Sequence, residues 1–237
     1  MKAIVLTYDE RATFADLTIS SYMQSWKKCP LQFVVPYNNE KPYYKDKFEN
    51  IEFVKTDKSV KNTMCSLLQP INDNEFVYWC LDDIYLHEIK NQHLLNFIFN
   101  IANKKNTFDV LRLRNPPRRL RWENVVIKNK HFYRTGFGHS QFWFHYFVRA
   151  KVLKKIFFSD IIKPNATIGK IGIERRKILT PNYSVLYPQR DVVIFGESTR
   201  RGTNTLNCKE ALEKYNIKHN ITKFSRIRIF NNFIRRV

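Results

Sequence analysis

The chain has 237 residues, 43% hydrophobic and 15% aromatic, with a formal net charge of +20. That apolar content excludes a disordered chain, and no apolar run approaches the ~20 residues of a membrane-spanning helix. The charge bears on partners and not on fold: nucleic acid, an anionic membrane and phosphorylated small substrates all suit it.

The short apolar start soon meets Asp9-Glu10-Arg11, which reads as a first strand and not as a signal peptide. That strand is expected over 2–8. The spacing of Phe14, Leu17, Ile19, Tyr22, Met23 and Trp26 then predicts a helix over 13–26. Strands follow at 31–36, ended by Pro36 and a polar turn, and at 51–55. Ser59 suits the cap of a helix reaching residue 69 and stopped by Pro70. Residues 75–81 read as a buried strand, and 89–102 as a helix that packs Leu94, Leu95, Phe97, Ile98 and Ile101 inward. This alternation implies an α/β fold, with a mostly parallel central sheet flanked by helices on both faces.

The second half has a different rhythm. A strand at 108–113 leads into a basic, proline-containing loop at 114–121, and 125–127 and 131–133 read as short strands of a meander. Residues 140–147 are strongly aromatic, and 149–158 reads as a helix. The stretch 160–176, with Pro164, Gly169 and Gly172, reads as a loop. Late strands are expected at 183–187 and 192–195, and a short helix at 209–215. No internal repeat and no Gly/Ser-rich linker divides the chain. A single domain over 1–237 is expected, with halves at 1–105 and 106–208 and a basic C-terminal segment at 209–237.

The chemistry centres on Asp82-Asp83, at the carboxyl end of the apolar run. In open α/β sheets that edge is where ligands bind. Two adjacent carboxylates repel, so a positive partner is expected, and a divalent metal is the economical one. Hard cations such as Mg²⁺ take one or two carboxylates plus phosphate oxygens. Position suggests Asp83 as metal ligand and Asp82 on ribose or donor-sugar hydroxyls; a solvated acidic turn is the plain alternative.

The turn Thr7-Tyr8-Asp9-Glu10-Arg11 should also meet the ligand. It has no glycine-rich phosphate loop, which argues against a dinucleotide fold and a P-loop. A capped helix start would use the same residue types. Glu174 stands alone among basic neighbours, placed to act as a general base or to pair with Arg175 or Arg176. The set Arg112, Arg114, Arg118, Arg119 and Arg121 suits phosphate or carboxylate, and a solvated basic loop fits as well. Cys29, Cys65, Cys80 and Cys208 show no metal-ligand spacing and fit a reduced, cytoplasmic compartment. His139 and His145, six apart, make no metal pattern. The tail at 221–237 interleaves apolar and basic residues, either to lie on an anionic membrane or to cover the core as a helix.

Together these segments resemble a GT-A-fold glycosyltransferase, family 2-like, of the bacterial cell-surface polysaccharide type. The likeness is carried by the opening 4–11, by the strand ending in Leu81-Asp82-Asp83, by Ser140-Gln141-Phe142-Trp143 with Val152-Leu153, by Ile173-Glu174, and by the turn 196–202. The resemblance implies a GT-A-like domain with a smaller antiparallel, acceptor-side half. It implies inverting transfer from a nucleotide-sugar donor to a saccharide or lipid-linked acceptor, assisted by Mn²⁺ or Mg²⁺. Glu174 would be the catalytic base and Asp83 the metal ligand. Donor contacts would come from Thr7, Tyr8, Asp9, Arg11, Asp82, Arg200 and Arg201. Acceptor contacts would come from Arg112, Arg114, Ser140, Gln141 and Trp143. The expected setting is cytoplasmic, with the basic tail touching the inner face of the membrane. Two rivals are a nucleic-acid-binding protein and a sugar-phosphate nucleotidyltransferase. The first lacks any recognised binding signature, and the second lacks a glycine-rich, basic turn after the first strand.

Overall fold

The computed structural model describes residues 1–104, 107–116, 122–136, 144–179, 183–231 and 233–236. Its centre is an unbroken apolar strand. β4 (Phe76–Leu81) reads FVYWCL and is buried at every position, as a strand covered on both faces must be. β4 pairs in parallel with β1 (Lys2–Leu6), and the parallel ladder continues to β2 (Gln32–Tyr37) and β3 (Ile51–Lys55). The crossovers are α1 (Ala12–Ser25), between β1 and β2, and α2 (Val60–Leu68), between β3 and β4. Ser59 caps α2 as expected, its hydroxyl accepting from the Asn62 N–H.

In space the order is β3-β2-β1-β4, so the chain steps outward from β1 and then returns to its other side. That reversal is a topological switch point, where a crevice opens outside the carboxyl ends of the strands. The β1–β4 register pairs Leu6 with Leu81. The two strands therefore end level, and Thr7 and Asp82 emerge at one edge.

Beyond β4 the same sheet becomes mixed. It continues through β9 (Tyr146–Arg149), β6 (Val110–Arg112), β10 (Ser184–Pro188), β8 (Lys130–Gly136) and β7 (Glu123–Ile127). Only β6 and β10 pair in parallel there. The β7–β8 hairpin turns at Lys128-Asn129, both with positive φ (46° and 62°), as a tight two-residue hairpin turn needs.

Three segments differ from the sequence expectation. Residues 84–89, where no strand is expected ahead of the helix at 89–102, form β5 (Ile84–Ile89). The helix starts later, as α3 (Gln92–Ala102), capped by Asn91. The expected loop at 160–176 contains α5 (Ile168–Ile178), capped by Thr167. Ile171, Arg175 and Ile178 are its buried stripe, at helical spacing, and outweigh the cost of Gly169 and Gly172. The tail is a β-hairpin and not a helix: β14 (Ile227–Phe230) and β15 (Phe233–Arg236). They join β5 and β11 (Val193–Glu197) in a second, four-stranded sheet. The helix expected at 149–158 is α4 (Ala150–Phe157).

Asp82 and Asp83 are thus the corner at which the chain leaves the large sheet for the small one. α1 packs against β5, and eight of its fourteen residues are buried. After β11, the short hairpin β12 (Thr199–Arg200) and β13 (Thr203–Asn204) leads to α6 (Leu206–Lys214). Among the described residues no helix is long and apolar enough to cross a membrane.

Candidate active site

The level ends of β1 and β4 open into a cleft of about 1420 Å³. A pocket for one small ligand occupies roughly 300–1,000 Å³, so this cleft is larger than one small ligand needs. Thr7, Tyr8, Arg11, Asp82, Asp83, Arg200 and Arg201 all line it. These seven come from three separate stretches of sequence.

The cation beside the acid pair is an arginine. Arg11 ends a 3₁₀ turn (Asp9–Arg11) directly after β1. Its Nε donates to Asp82 Oδ2 at 2.7 Å, and its Nη2 lies 3.7 Å from Asp83 Oδ2. The guanidinium rests on the Phe14 ring, 4.9 Å from its centroid. Burial pushes the Asp82 carboxyl up to about 6, against the downward pull of Arg11's charge and hydrogen bond.

Asp83, next in the chain, is 37% exposed at its side chain. Its Oδ2 accepts from Thr199 Oγ1 at 3.2 Å, and its backbone carbonyl accepts from Ser198 N at 2.7 Å. The small sheet then adds a third carboxylate. β11 pairs with β5 so that Glu197 sits opposite Ile84, the residue after Asp83. Glu197 is buried and lines the cleft. Its Oε2 lies 3.5 Å from Arg200 Nη1, while its buried Oε1 has no hydrogen-bond partner. Burial raises its carboxyl, Arg200 pulls it back, and the charge of Asp83 raises it again.

Glu197 was in view as part of the turn 196–202, but nothing local marks it as a neighbour of Asp83. Arg200 and the Arg201-Gly202 turn that follows project the next cations. Arg201 and Gly202 have φ of 49° and 79°, the left-handed pair of a tight hairpin.

Behind this wall lies a buried polar chain. His145 shares its Nε2 with the Leu81 carbonyl at 2.8 Å and its Nδ1 with the Tyr22 hydroxyl at 2.7 Å. Tyr22 meets the Tyr78 hydroxyl at 2.8 Å. Burial lowers the His145 pKa to about 3, so the ring is neutral. The Leu81 carbonyl can only accept, so Nε2 carries the proton and Nδ1 accepts from Tyr22. Thr18 Oγ1 sits 2.9 Å and 2.8 Å from the carbonyls of Asp82 and Ile84. The backbone carrying the acid pair is held from both sides.

Other expected residues lie elsewhere. Asp9 does not line the cleft; it accepts from Asn38 N, Asn39 N and Asn39 Nδ2 at 2.7–3.0 Å, which pins the loop after β2. That loop sends Asn38 into the cleft, a residue the sequence did not single out. Arg112 stacks on Tyr146, 3.7 Å from the ring centroid. Arg114 lies over Phe144 at 4.4 Å and donates to the Asn231 carbonyl at 2.7 Å. Both stand behind the cleft lining and not in it.

Glu174 is the clearest correction. It rides on α5 and not on a loop, it is absent from the cleft lining, and its carboxylate pairs with Lys177 Nζ at 2.7 Å. The helix instead turns Arg175 and Arg176 toward the cleft. Ser140, Gln141 and Trp143, and likewise Arg118, Arg119, Arg121 and His139, lie outside the described residues.

A metal has two carboxylates available in the cleft wall, Asp83 and Glu197; among the described residues no group of three or more His, Cys, Asp or Glu could hold one. An orphaned, buried carboxylate oxygen beside a second carboxylate fits a hard cation that brings the rest of its ligands as phosphate and water.

No protein-family model and no curated protein matches the sequence. Solved structures similar to the chain include Staphylococcus aureus TarS (residues 1–349; 15% identity, 80% of this chain and 58% of that one, TM-score 0.47). Another is the glycosyltransferase GlyE of Streptococcus pneumoniae TIGR4 (6% identity, 78% and 44%, TM-score 0.46). A third is the bifunctional IspDF of Campylobacter jejuni (14% identity, 73% and 46%, TM-score 0.36). The chain spans less than two thirds of each of these structures.

Proposed function

We propose that the chain is a glycosyltransferase of the GT-A type. It would take a nucleotide-sugar donor across the ends of β1 and β4 and pass the sugar to a saccharide acceptor. The observation that supports this reading is the convergence of Tyr8, Arg11, Asn38, the acid pair, Glu197 and Arg200–Arg201 on one large cleft at the switch point. Tyr8, 44% exposed there, offers a ring face to a nucleotide base. Asp82, fixed by Arg11, offers its remaining oxygen to a ribose or sugar hydroxyl. Arg200 and Arg201 suit a diphosphate, since guanidinium groups match phosphate oxygens in charge and shape.

Asp83 and Glu197 would hold Mn²⁺ or Mg²⁺. When bound, such a cation supplies Lewis-acid stabilisation of the departing nucleoside diphosphate. Inversion at the anomeric carbon was expected from Glu174 as base, and its place on α5 gives that role no support. A lipid-linked acceptor and a role in surface polysaccharide synthesis would follow from the resemblance alone. The nucleotidyltransferase alternative lacks a glycine-rich phosphate turn after β1, where Thr7 to Arg11 contain no glycine.

The test is a thermal-shift panel of UDP, GDP, CMP and dTDP with and without Mn²⁺. A ligand that binds only the native state raises its stability. One nucleotide should stabilise selectively, and Mn²⁺ should add to the shift. Glu197→Gln should lose the Mn²⁺ increment and keep the nucleotide shift. No response to any nucleotide would overturn the reading.

A further inference from the structure

The two walls of the cleft carry their positive charge differently. On the β1–β4 side Arg11 meets Asp82 and Asp83 and Arg200 meets Glu197, and Lys58 and Arg201 add further cations to the lining. On the opposite wall, α5 brings Arg175 and Arg176 to the cleft beside Phe144, Gly172 and Ile173. No carboxylate of α5 joins them, since its one acid, Glu174, pairs with Lys177 on another face.

Further guanidinium groups stand behind this wall. Arg175 and Arg112 are both about 95% buried (5% and 4% exposed), and Arg112 lies on Tyr146. Arg114 lies on Phe144, itself part of the cleft lining. Burial lowers the Arg175 pKa; the Tyr146 hydroxyl offsets this, while the like charges of Arg112 and Arg176 add to it. Burying cations against one another is costly. An anion entering the cleft would be attracted by the summed charge of this cluster.

We infer that the α5 side of the cleft is an anion subsite, in which Arg175 and Arg176, backed by Arg112, receive the phosphate or carboxylate of an acidic acceptor saccharide. This rests on the transferase reading for the word acceptor. The site itself rests on the arginine cluster. A nucleoside diphosphate on the β1–β4 wall leaves the subsite open, because the cleft is larger than one small ligand needs. The planar donors of guanidinium suit either oxyanion.

The experiment is calorimetric titration of the intact protein with three probes: methyl glucoside, glucose 6-phosphate and glucuronate. Each is run with and without the nucleoside diphosphate selected by the thermal-shift panel. At least one acidic sugar should bind about tenfold tighter than the neutral one, and which one does so separates phosphate from carboxylate. Arg176→Gln, at an exposed position, should weaken that binding about fivefold or more, with Arg176→Lys recovering part of it. Arg175→Gln should weaken it further, and its melting curve reports whether it folds. Saturating nucleoside diphosphate should leave the affinity intact.

Displacement of the acidic sugar by the nucleotide would assign the anion to the donor wall and overturn the proposal. Equal affinity for neutral and acidic sugars, or an Arg176→Gln variant that binds as the parent does, would also overturn it. The two readings separate cleanly. Nucleotide binding without acidic-sugar binding removes the subsite and leaves the transferase; the converse removes the transferase and leaves the subsite.

Discussion

Asp82 and Asp83 are neighbours in the chain with opposite circumstances. Asp82 completes β4 against β1, is buried, and spends one oxygen on Arg11. Asp83 begins the crossing to the small sheet, is 37% exposed, and is latched by Thr199 and Ser198 of the β11–β12 segment. One peptide bond separates a carboxylate anchored in the large sheet from one presented to ligands. Adjacency in sequence therefore says little about shared chemistry: the sheet to which each residue is tied sets its exposure, and exposure sets its role.

Replacing the exposed member should have the largest effect on function and little on the fold. On the proposed function, Asp83→Ala removes a metal ligand from the donor end of the cleft. Turnover of the sugar nucleotide chosen by the thermal-shift panel is expected to fall at least about a hundredfold. The hydrogen bond lost with Thr199 is worth about 1 kcal/mol. Initial rates beside a melting curve check this. A variant with normal rates would show that Asp83 plays no part in transfer.

The buried member should act on stability, through pH. The Asp82 pKa is raised in the folded chain, to about 6 from 3.8. Its contribution is fully present below 3.8 and is lost as the pH rises through about 6, by roughly 2–3 kcal/mol for two units of displacement. His145 works in the opposite sense over nearly the same window. Its pKa falls from 6.5 to about 3, so its contribution is complete above 6.5 and is lost as the pH drops. In the parent protein the two slopes oppose each other between pH 4 and 6. Asp82→Asn should expose the histidine, so that the variant gains stability more steeply with rising pH than the parent. Urea melts at pH 4, 5, 6 and 7 decide it; parallel pH profiles for parent and variant would show that Asp82 is not the group that titrates.

The same contrast explains what could be read without the structure. β4 and its acid pair are legible because a six-residue apolar run has few other fates, and the turn after β1 is placed by strand–helix alternation. Glu197 is not legible as a site residue: its neighbourhood with Asp83 arises from the β5–β11 pairing, more than 100 residues apart in sequence. β5 itself hides because Ile84-Tyr85-Leu86 is too short a run to tell strand from helix. α5 hides behind Gly169 and Gly172, which weigh as breakers locally while Ile171 and Ile178 gain more from packing. The arginines at 112 and 114 are visible as basic residues, but only the fold shows them flat on Tyr146 and Phe144, behind the lining they were expected to form.

The smallest effect is expected where the sequence pointed most directly at catalysis. Glu174 keeps an i,i+3 pair with Lys177, whose ammonium is mostly exposed at 66%. Glu174 itself is 18% exposed, but solvent reaches the lysine end and screens the charge, so the pair contributes about 1 kcal/mol or less. Glu174→Ala should therefore leave the melting temperature nearly unchanged and the transfer rate within about twofold, with both measured under the conditions that silence Asp83→Ala. A loss comparable to that of Asp83→Ala would mean that α5 turns Glu174 into the cleft once the acceptor arrives, and would return to it the role of base. A neutral result would leave Glu174 no part in transfer and would agree with placing the proposed chemistry at the corner where the two sheets meet.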